Sequence, residues 1–228
     1  MEEKKYAVLI DGDNISSKYL DSILNEMTKY GIATYKRIYC DFTSQQSSKW
    51  RRLVRDSGIQ AMQQFANTVG KNATDSTLII DAMDILYTGN VDGFCIVSSD
   101  GDFTRLAIRL KESGMDVIGM GESKTPRSFR AACTVFTDLE ILYEAESEDD
   151  EISTKGKKPA VKHNVVKVSE IENVIIEIIN ENNNKGRRTG LGEIGSRIQK
   201  KYNDFDVRQY GYLSLIHISE PTRRSYIS

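Results

Sequence analysis

Between residues 6 and 136 the sequence alternates between short apolar runs and longer segments whose apolar residues recur at helical spacing. Apolar runs typical of buried strands lie at residues 6–10, 93–97, 115–120 and 135–136, and further strands are predicted from the alternation at 34–40 and from a short segment at 59–65. The helical segments are a stretch ending near Tyr30, one around Trp50, residues 75–87 and 103–113, and a short helix from near Pro126. Short connections between alternating strands and helices favour a parallel sheet with helices on both faces. The pattern therefore predicts an α/β fold with a doubly wound parallel sheet.

A change of composition after Tyr143 predicts a second domain. Residues 144–167 begin with an acidic run and continue with a lysine-rich stretch that contains Gly156 and Pro159, which predicts a solvated linker. Beyond it, helical spacing over 168–180 is followed by a predicted polar turn at Asn182–Asn184 and by a second helical segment over 190–202. The chain is thus divided into a first domain (1–143), a charged linker (144–167), a small, mainly helical second domain (168–212) and a tail (213–228) typical of translated non-native sequence.

Composition narrows the function classes. The 228 residues carry a formal net charge of −2, which argues against a protein that coats nucleic acid through bulk positive charge. The three cysteines are dispersed and form no CxxC pair, so a zinc site and a disulfide framework are not expected. The sequence shows no signal peptide and no apolar stretch long enough for a membrane span, so we expect a cytoplasmic protein.

Aspartates follow two of the predicted strands at the point where each strand ends. Asp11, Asp13 and Asn14 come at the end of the first strand, and Asp100 and Asp102 follow the strand at 93–97. Each aspartate could instead cap a helix, which is a common use of this residue. Ligands of open α/β sheets bind outside the carboxyl ends of the strands, where like charges repel unless a cation lies between them. The pair of clusters therefore predicts one acidic, metal-binding crevice.

The helix at 75–87 supplies a further candidate. At 100° per residue, Asp75 lies in line with the apolar stripe formed by Leu78, Ile79, Ala82 and Leu86. Asp84 falls on the opposite side, where solvent is expected, and Asp81 lies off the centre of the stripe. Asp75 could serve only as a helix cap. We expect it instead to point over the strand ends and to complete a carboxylate cluster with Asp11 and Asp100.

The ligand types in this cluster favour particular metals. Hard oxygen ligands without a nearby histidine favour Mg²⁺ or Mn²⁺ over zinc. Such a site can activate a water molecule for attack on a phosphodiester. The expected cofactor is therefore Mg²⁺ or Mn²⁺.

The ordered motifs resemble those of the NYN family of PIN-like nucleases, of the LabA-like type. The matching pieces are Leu9–Asn14, Lys71 with Asp75 and Asp81, Val97–Phe103, Gly119–Gly121, Thr125-Pro126 and Val135-Phe136, within residues 5–143. The resemblance implies metal-dependent cleavage of RNA by activated water. Its implied catalytic residues and metal ligands are Asp11, Asp75 and Asp100, supported by Asn14, Ser98 and Asp102. The family often has glycine just before the helix aspartate, whereas Ala73-Thr74 precede it here.

Residues 168–212 are similar to the OST-HTH (LOTUS) module, a winged-helix-like unit that binds RNA or protein. The matching pieces are Leu191–Gly195, Phe205–Arg208 and Tyr210–Tyr212. The tail at 213–228 does not fit the final strand and helix of that module, which implies a truncated domain. The resemblance implies RNA, or a protein partner, as the ligand of this domain.

Basic residues suggest where a polyanion could bind. Lys71, Lys124 and Arg127 lie in segments expected near the crevice and are predicted to contact phosphate without sequence selectivity. A second basic group is expected to form a solvated helix face and comprises Lys49, Arg51, Arg52 and Arg55. Trp50 and Phe129 are expected in the core.

Two other functions fit parts of the pattern. Asp11-Gly-Asp13 after a first strand imitates the nucleophile motif of HAD-type phosphatases, although Asn14 and Ile15 depart from that motif and no helical cap insertion is visible. The first domain could also be a catalytically inactive module that only binds RNA or protein. The sequence leaves open whether two copies of the chain form a homodimer.

Overall fold

The computed structural model describes residues 3–45, 47–64, 73–150 and 166–210. The chain divides into two compact units, residues 1–143 and 144–228. Within the described ranges, none of the helices is both long and apolar enough to cross a membrane.

The first unit is built on a six-stranded sheet in which every pairing is parallel. Its strands are β1 (Lys5–Asp11), β2 (Ile32–Cys40), β3 (Gln60–Gln63), β4 (Gly93–Val97), β5 (Asp116–Gly121) and β6 (Val135–Asp138). The strand order is β3-β2-β1-β4-β5-β6. The chain therefore winds outward from β1 in one direction and then from β4 in the other, so the predicted doubly wound α/β fold is confirmed.

Helices cover both faces of this sheet. They are α1 (Leu20–Met27), α2 (Ser48–Asp56), α3 (Ala73–Thr88), α4 (Thr104–Glu112), α5 (Arg127–Ala132) and α6 (Leu139–Asp150). Side chains of α3, α4 and α5 share one apolar cluster, and those of α1, α2 and α6 share the other. Because successive side chains of a strand point to opposite faces, Ala7 and Leu9 of β1 enter the first cluster, while Val8 and Ile10 enter the second.

Several residues lie in the core as predicted. Trp50 and Phe129 are 2% and 0% exposed, which leaves neither ring available to stack on a base. The three cysteines are buried and free. Asp84 is exposed, in agreement with its helical position opposite the apolar stripe.

Helix α6 begins inside the first domain and continues into the segment predicted to be a linker. Its start is fixed by Asp138, whose Oδ1 accepts a hydrogen bond from the Glu140 backbone N–H at 3.1 Å, and by the buried residues Leu139 and Leu142. An aspartate at the end of a strand can thus cap the next helix. Residues 144–150, the first part of the predicted linker, are therefore helical.

The described part of the second unit consists of α7 (Val168–Asn184), α8 (Leu191–Lys201) and a short 3₁₀ turn at Val207–Tyr210. Its apolar cluster comprises Ile171, Val174, Ile178, Ile194 and Ile198. The mainly helical character expected for this unit is confirmed for these residues.

The polar turn predicted at Asn182–Asn184 is wrong, because α7 continues through it. Gly186 has a φ of 67°, and the Arg187 backbone N–H donates to the Asn182 carbonyl at 2.9 Å. This is the Schellman arrangement, in which a left-handed glycine ends a helix. The glycine, rather than the run of asparagines, determines where the helix stops.

Candidate active site

The two central strands bring the acidic segments together. β1 and β4 are hydrogen-bonded neighbours in which Ile10 pairs with Val97. They are also the strands between which the winding direction reverses, and such a switch point is where open α/β sheets bind ligands. Asp11 is the last residue of β1, and Asp100 lies three residues beyond the end of β4.

Asp11 is fully buried beneath this crevice. Its Oδ2 accepts hydrogen bonds from the Ser98 hydroxyl at 2.7 Å and from the Asn14 side-chain amide at 2.8 Å. Burial raises the pKa of the Asp11 carboxyl, while the hydrogen bonds from Ser98 and Asn14 act in the opposite direction. The two neighbours therefore orient a carboxylate that water reaches poorly.

Ser98 also connects Asp11 to the second acidic segment. The Ser98 hydroxyl oxygen accepts a hydrogen bond from the Asp100 backbone N–H at 3.0 Å. Asp100 in turn caps a short 3₁₀ turn, because its Oδ1 accepts from the Asp102 backbone N–H at 2.9 Å. These bonds fix the loop that follows β4 and present Asp100 and Asp102 at the carboxyl edge of the sheet.

Asp75 approaches the same point from the first turn of α3. Carboxylate oxygens of Asp75, Asp100 and Asp102 lie within 4.8 Å of one another. Burial, followed by the charges of Asp11, Asp100, Asp102 and Asp13, raises the pKa of Asp75 to about 6. A cation between these oxygens would remove the part of the shift that comes from repulsion among the carboxylates.

Helix α3 is held against the sheet at two places. Near its start, the Thr74 hydroxyl donates to Asp13 Oδ2 at 2.9 Å. Farther along, Asp81 accepts hydrogen bonds from the Arg37 guanidinium and the Tyr39 hydroxyl of β2. Asp81 and Asp13 thus position the helix that carries Asp75.

The structure arranges the predicted residues differently from the expected trio of ligands. Asp75 and Asp100 are brought together, but their close partner among the described residues is Asp102, which was expected only to support the ligands. Asp11 lies beneath them and is engaged by Asn14 and Ser98, the other two residues expected in a supporting role.

The residues predicted to contact phosphate have varied surroundings. Lys71 lies outside the described residues. Lys124 is 64% exposed in its side chain and forms an ion pair with Glu122 at 2.8 Å, whereas Arg127 is exposed at the start of α5. Arg130, three residues after Arg127, turns inward and pairs with buried Asp138 at 3.1 Å.

Arg130 has a structural role that the sequence did not indicate. Its guanidinium donates to the backbone carbonyls of Ser123 and Thr125, each at 3.1 Å, and of Glu122 at 3.3 Å. It therefore shapes the loop after β5 that carries Lys124. The sequence signal that could have indicated this role of Arg130 was Asp138, an acidic residue at the end of the neighbouring strand β6.

The donor set is chemically suited to a hard divalent cation. The clustered ligand atoms are all carboxylate oxygens, which Mg²⁺ and Mn²⁺ prefer. Burial raises the pKa of Asp75 most, and the charges of Asp11, Asp100, Asp102 and Asp13 raise it further. The residues present thus fit a divalent metal site.

Comparisons with known proteins agree with this geometry. The NYN domain model matches residues 5–140, and the OST-HTH/LOTUS domain model matches residues 167–218. The second match extends past residue 212, where the sequence predicted a non-native tail to begin; that part lies outside the described residues.

The chain is also similar to an uncharacterized protein of Methanocaldococcus jannaschii, with 26% identity over a 174-residue alignment. The alignment covers 74% of this chain and 66% of the relative. The chain thus spans slightly less than two thirds of that relative. The fold of this chain is similar to that of a protein of unknown function from Vibrio parahaemolyticus in its crystal structure, with a TM-score of 0.50 and 19% sequence identity. The match covers 60% of this chain and 94% of the other.

Proposed function

The chain belongs to the NYN domain family, which has a PIN-like nuclease fold, and from this premise we propose that its first domain is a metal-dependent ribonuclease that hydrolyses RNA phosphodiester bonds. The observation that carries the proposal is the convergence of Asp75, Asp100 and Asp102 at the switch point of the sheet, with carboxylate oxygens within 4.8 Å of one another. Buried Asp11 adds a fourth negative charge beneath them.

Asp75, Asp100 and Asp102 would hold Mg²⁺ or Mn²⁺. When bound, such an ion lowers the pKa of a coordinated water and neutralises charge on the scissile phosphate. Asp11 contributes its charge to the site, while Ser98 and Asn14 keep its carboxylate oriented. Ser98 also accepts a hydrogen bond from the backbone N–H of the proposed ligand Asp100, and groups that support metal ligands typically affect metal affinity or activity 10–100-fold.

The burial of Asp11 argues against the phosphatase alternative. A HAD-type enzyme would require this carboxylate to attack a phosphate directly. Asp11 is 0% exposed, and its Oδ2 is occupied by two hydrogen bonds. The other alternative, a catalytically inactive binding module, is tested by the same cleavage experiment as the ribonuclease.

The second domain would supply recognition. Because the OST-HTH/LOTUS domain is a type of RNA-binding module, we propose that it binds the RNA, or a protein partner, on which the nuclease domain depends. The proposed setting is the cytoplasm, where structured or single-stranded RNA is the substrate.

The proposal is tested by incubating a labelled single-stranded RNA with Mn²⁺, Mg²⁺ or EDTA. We expect cleavage with either metal, none in EDTA, and a loss of more than about 100-fold in Asp100→Asn, because even substitutions of supporting groups cost 10–100-fold. Asp84→Asn is the matched control, since Asp84 is an exposed aspartate of α3 outside the cluster. Absence of cleavage by the native chain would favour the binding module, and cleavage that survives EDTA would refute the metal-dependent assignment.

A further inference from the structure

A groove of about 610 Å³ lies beside the loop that follows β1. One wall is formed by the residues that precede α1, and the other by the first turns of α2. Its lining includes hydroxyl groups and cations, contributed by Ser16, Ser17, Lys18, Ser48, Lys49 and Arg52. These side chains are of the types that bind phosphate oxygens in protein–nucleic acid complexes.

The cations of this groove outnumber its acids. Asp21 is the lining carboxylate, against Lys18, Lys49 and Arg52. Lys18 Nζ lies 4.6 Å from the ring centroid of Tyr19 and 5.4 Å from that of Tyr143, so its ammonium group is already engaged by these rings. Within the part of the chain that the structure describes, Lys49 and Arg52 form no ion pair and are exposed. The groove therefore presents an excess of positive charge to an incoming ligand.

The groove is connected to the carboxylate site through the backbone after β1. The indole N–H of Trp50 donates to the Gly12 carbonyl at 3.0 Å, which fixes α2 beside the residue that follows Asp11. Ser16 is two residues from Asn14, so their Cα atoms are at most about 7.6 Å apart. Asn14 itself donates to Asp11. Ile15 alone thus separates Asn14, which holds Asp11, from the first residue of the groove lining.

We propose that this groove binds the phosphodiester backbone of the single-stranded RNA substrate on one side of the bond to be cleaved. The inference rests on the proposed ribonuclease function and adds to it the path of the strand. The acidic cluster repels phosphate wherever a metal does not screen it, so affinity must come from cations outside the cluster. Lys49 and Arg52 supply such cations at the nearest wall.

Recognition in this groove is of the backbone and not of the bases. The nearby rings of Trp50 and Tyr19 are each 2% exposed, so neither offers a face on which a base can stack. Hydroxyl and cationic contacts to phosphate carry no direct sequence information. The groove therefore increases affinity for every sequence to a similar extent.

Two pairs of substitutions on the same helix test the proposal. Lys49→Gln with Arg52→Gln removes two groove cations, and Arg51→Gln with Arg55→Gln removes two exposed cations that do not line the groove. Both pairs change the net charge equally. Binding of a fluorescent single-stranded RNA to the full chain is measured in EDTA, where metal-dependent cleavage does not occur, over a range of salt concentrations.

We expect the double variant Lys49→Gln/Arg52→Gln, the groove pair, to bind RNA roughly tenfold more weakly than the native chain. The slope of log K against log salt should fall by about 1.4, because each phosphate contact on a single strand contributes about 0.7. The control pair changes the binding constant less than about twofold. Equal losses in both pairs would mean diffuse attraction and would overturn the proposal, as would no loss in either pair. The latter result is also the one expected if the groove binds an acidic protein segment.

This test is separable from that of the nuclease function. A chain that cuts no RNA but loses binding selectively in the groove pair would refute the ribonuclease while keeping the strand path. NMR supplies a direct readout, since RNA added in EDTA should shift the backbone amide signals of residues 16–18 and 48–52 in the native chain. Unshifted signals in both segments at saturating RNA would refute the groove as the binding site.

Discussion

Asp75→Asn should stabilise the metal-free protein while abolishing its stabilisation by metal. The substitution keeps nearly the same side-chain shape and removes one negative charge from the cluster. The folded state raises the pKa of Asp75 from 3.8 to about 6, first through burial and then through the charges of four neighbouring aspartates. At neutral pH the native protein therefore holds Asp75 ionised in surroundings that stabilise its neutral form.

The sign of this effect follows from the direction of the shift. Because the pKa of Asp75 is higher in the folded chain than in the unfolded chain, protonation of Asp75 stabilises the fold. This stabilisation is fully present below about pH 4 and is lost as the pH rises through about 6. The shift corresponds to about 3 kcal/mol, which solvent screening of this partly exposed group reduces to about 1.5 kcal/mol. The favourable effect of a negative charge in the first turn of α3 is smaller, about 0.5 kcal/mol.

The assay is thermal unfolding at pH 7.5 in EDTA and in Mn²⁺. In EDTA we expect the melting temperature of Asp75→Asn to exceed that of the native chain by about 2–4 °C, since the net gain is about 1 kcal/mol and 1 kcal/mol corresponds to about 2–4 °C for a domain of this size. In saturating Mn²⁺ the native chain should gain about 2.7 kcal/mol at 100 times the Kd, and the variant much less. Asp84→Asn, an exposed substitution on the same helix, should leave both temperatures unchanged.

Two results would refute the reasoning. If Asp75→Asn melts below the native chain in EDTA, the carboxylate stabilises the fold and the repulsion inferred for the cluster is wrong. If Mn²⁺ stabilises the variant as much as the native chain, the metal binds elsewhere. A variant that melts higher in EDTA and responds little to Mn²⁺ supports both steps.

Three further outcomes follow from the same contacts. Ser98→Ala removes a hydroxyl that donates to Asp11, and we expect cleavage to fall about 10–100-fold in single-turnover assays, with little change in the far-UV circular dichroism spectrum. Trp50→Phe leaves the Gly12 carbonyl without its indole donor, which should lower the free energy of unfolding in urea by about 1–3 kcal/mol. Mn²⁺ affinity measured by calorimetry should fall as the pH drops below 6, because protons compete for Asp75 with its pKa of about 6; a pH-independent affinity would contradict its role as a ligand.

The sequence was sufficient to predict the sheet and the nearness of Asp11, Asp75 and Asp100 to one another. Apolar runs identify parallel strands, and the ends of such strands meet at one edge. It could not predict which carboxylates share a ligand position. Asp11 is the last residue of β1, so its side chain is still part of the buried sheet, whereas Asp102 lies in a turn beyond β4 and can approach Asp75.

The groove was not predictable from the sequence for a similar reason. Its walls come from residues 16–18 and 48–52, which are separated by β2, and only the fold brings them together. On one helix, Lys49 and Arg52 line the groove while Arg51 and Arg55 do not. Helical spacing separates the two faces but does not indicate which face meets a neighbouring element.

The measurement that tests the central claim most directly is cleavage of single-stranded RNA with Mn²⁺ in ¹⁸O-labelled water, followed by mass spectrometry of the product ends. If a metal-activated water held at the carboxylate cluster attacks the phosphodiester, one ¹⁸O atom should appear in each new terminal phosphate, and Asp100→Asn should form almost no product. Products that end in unlabelled cyclic phosphate, or labelled products formed equally well by Asp100→Asn, would contradict the account.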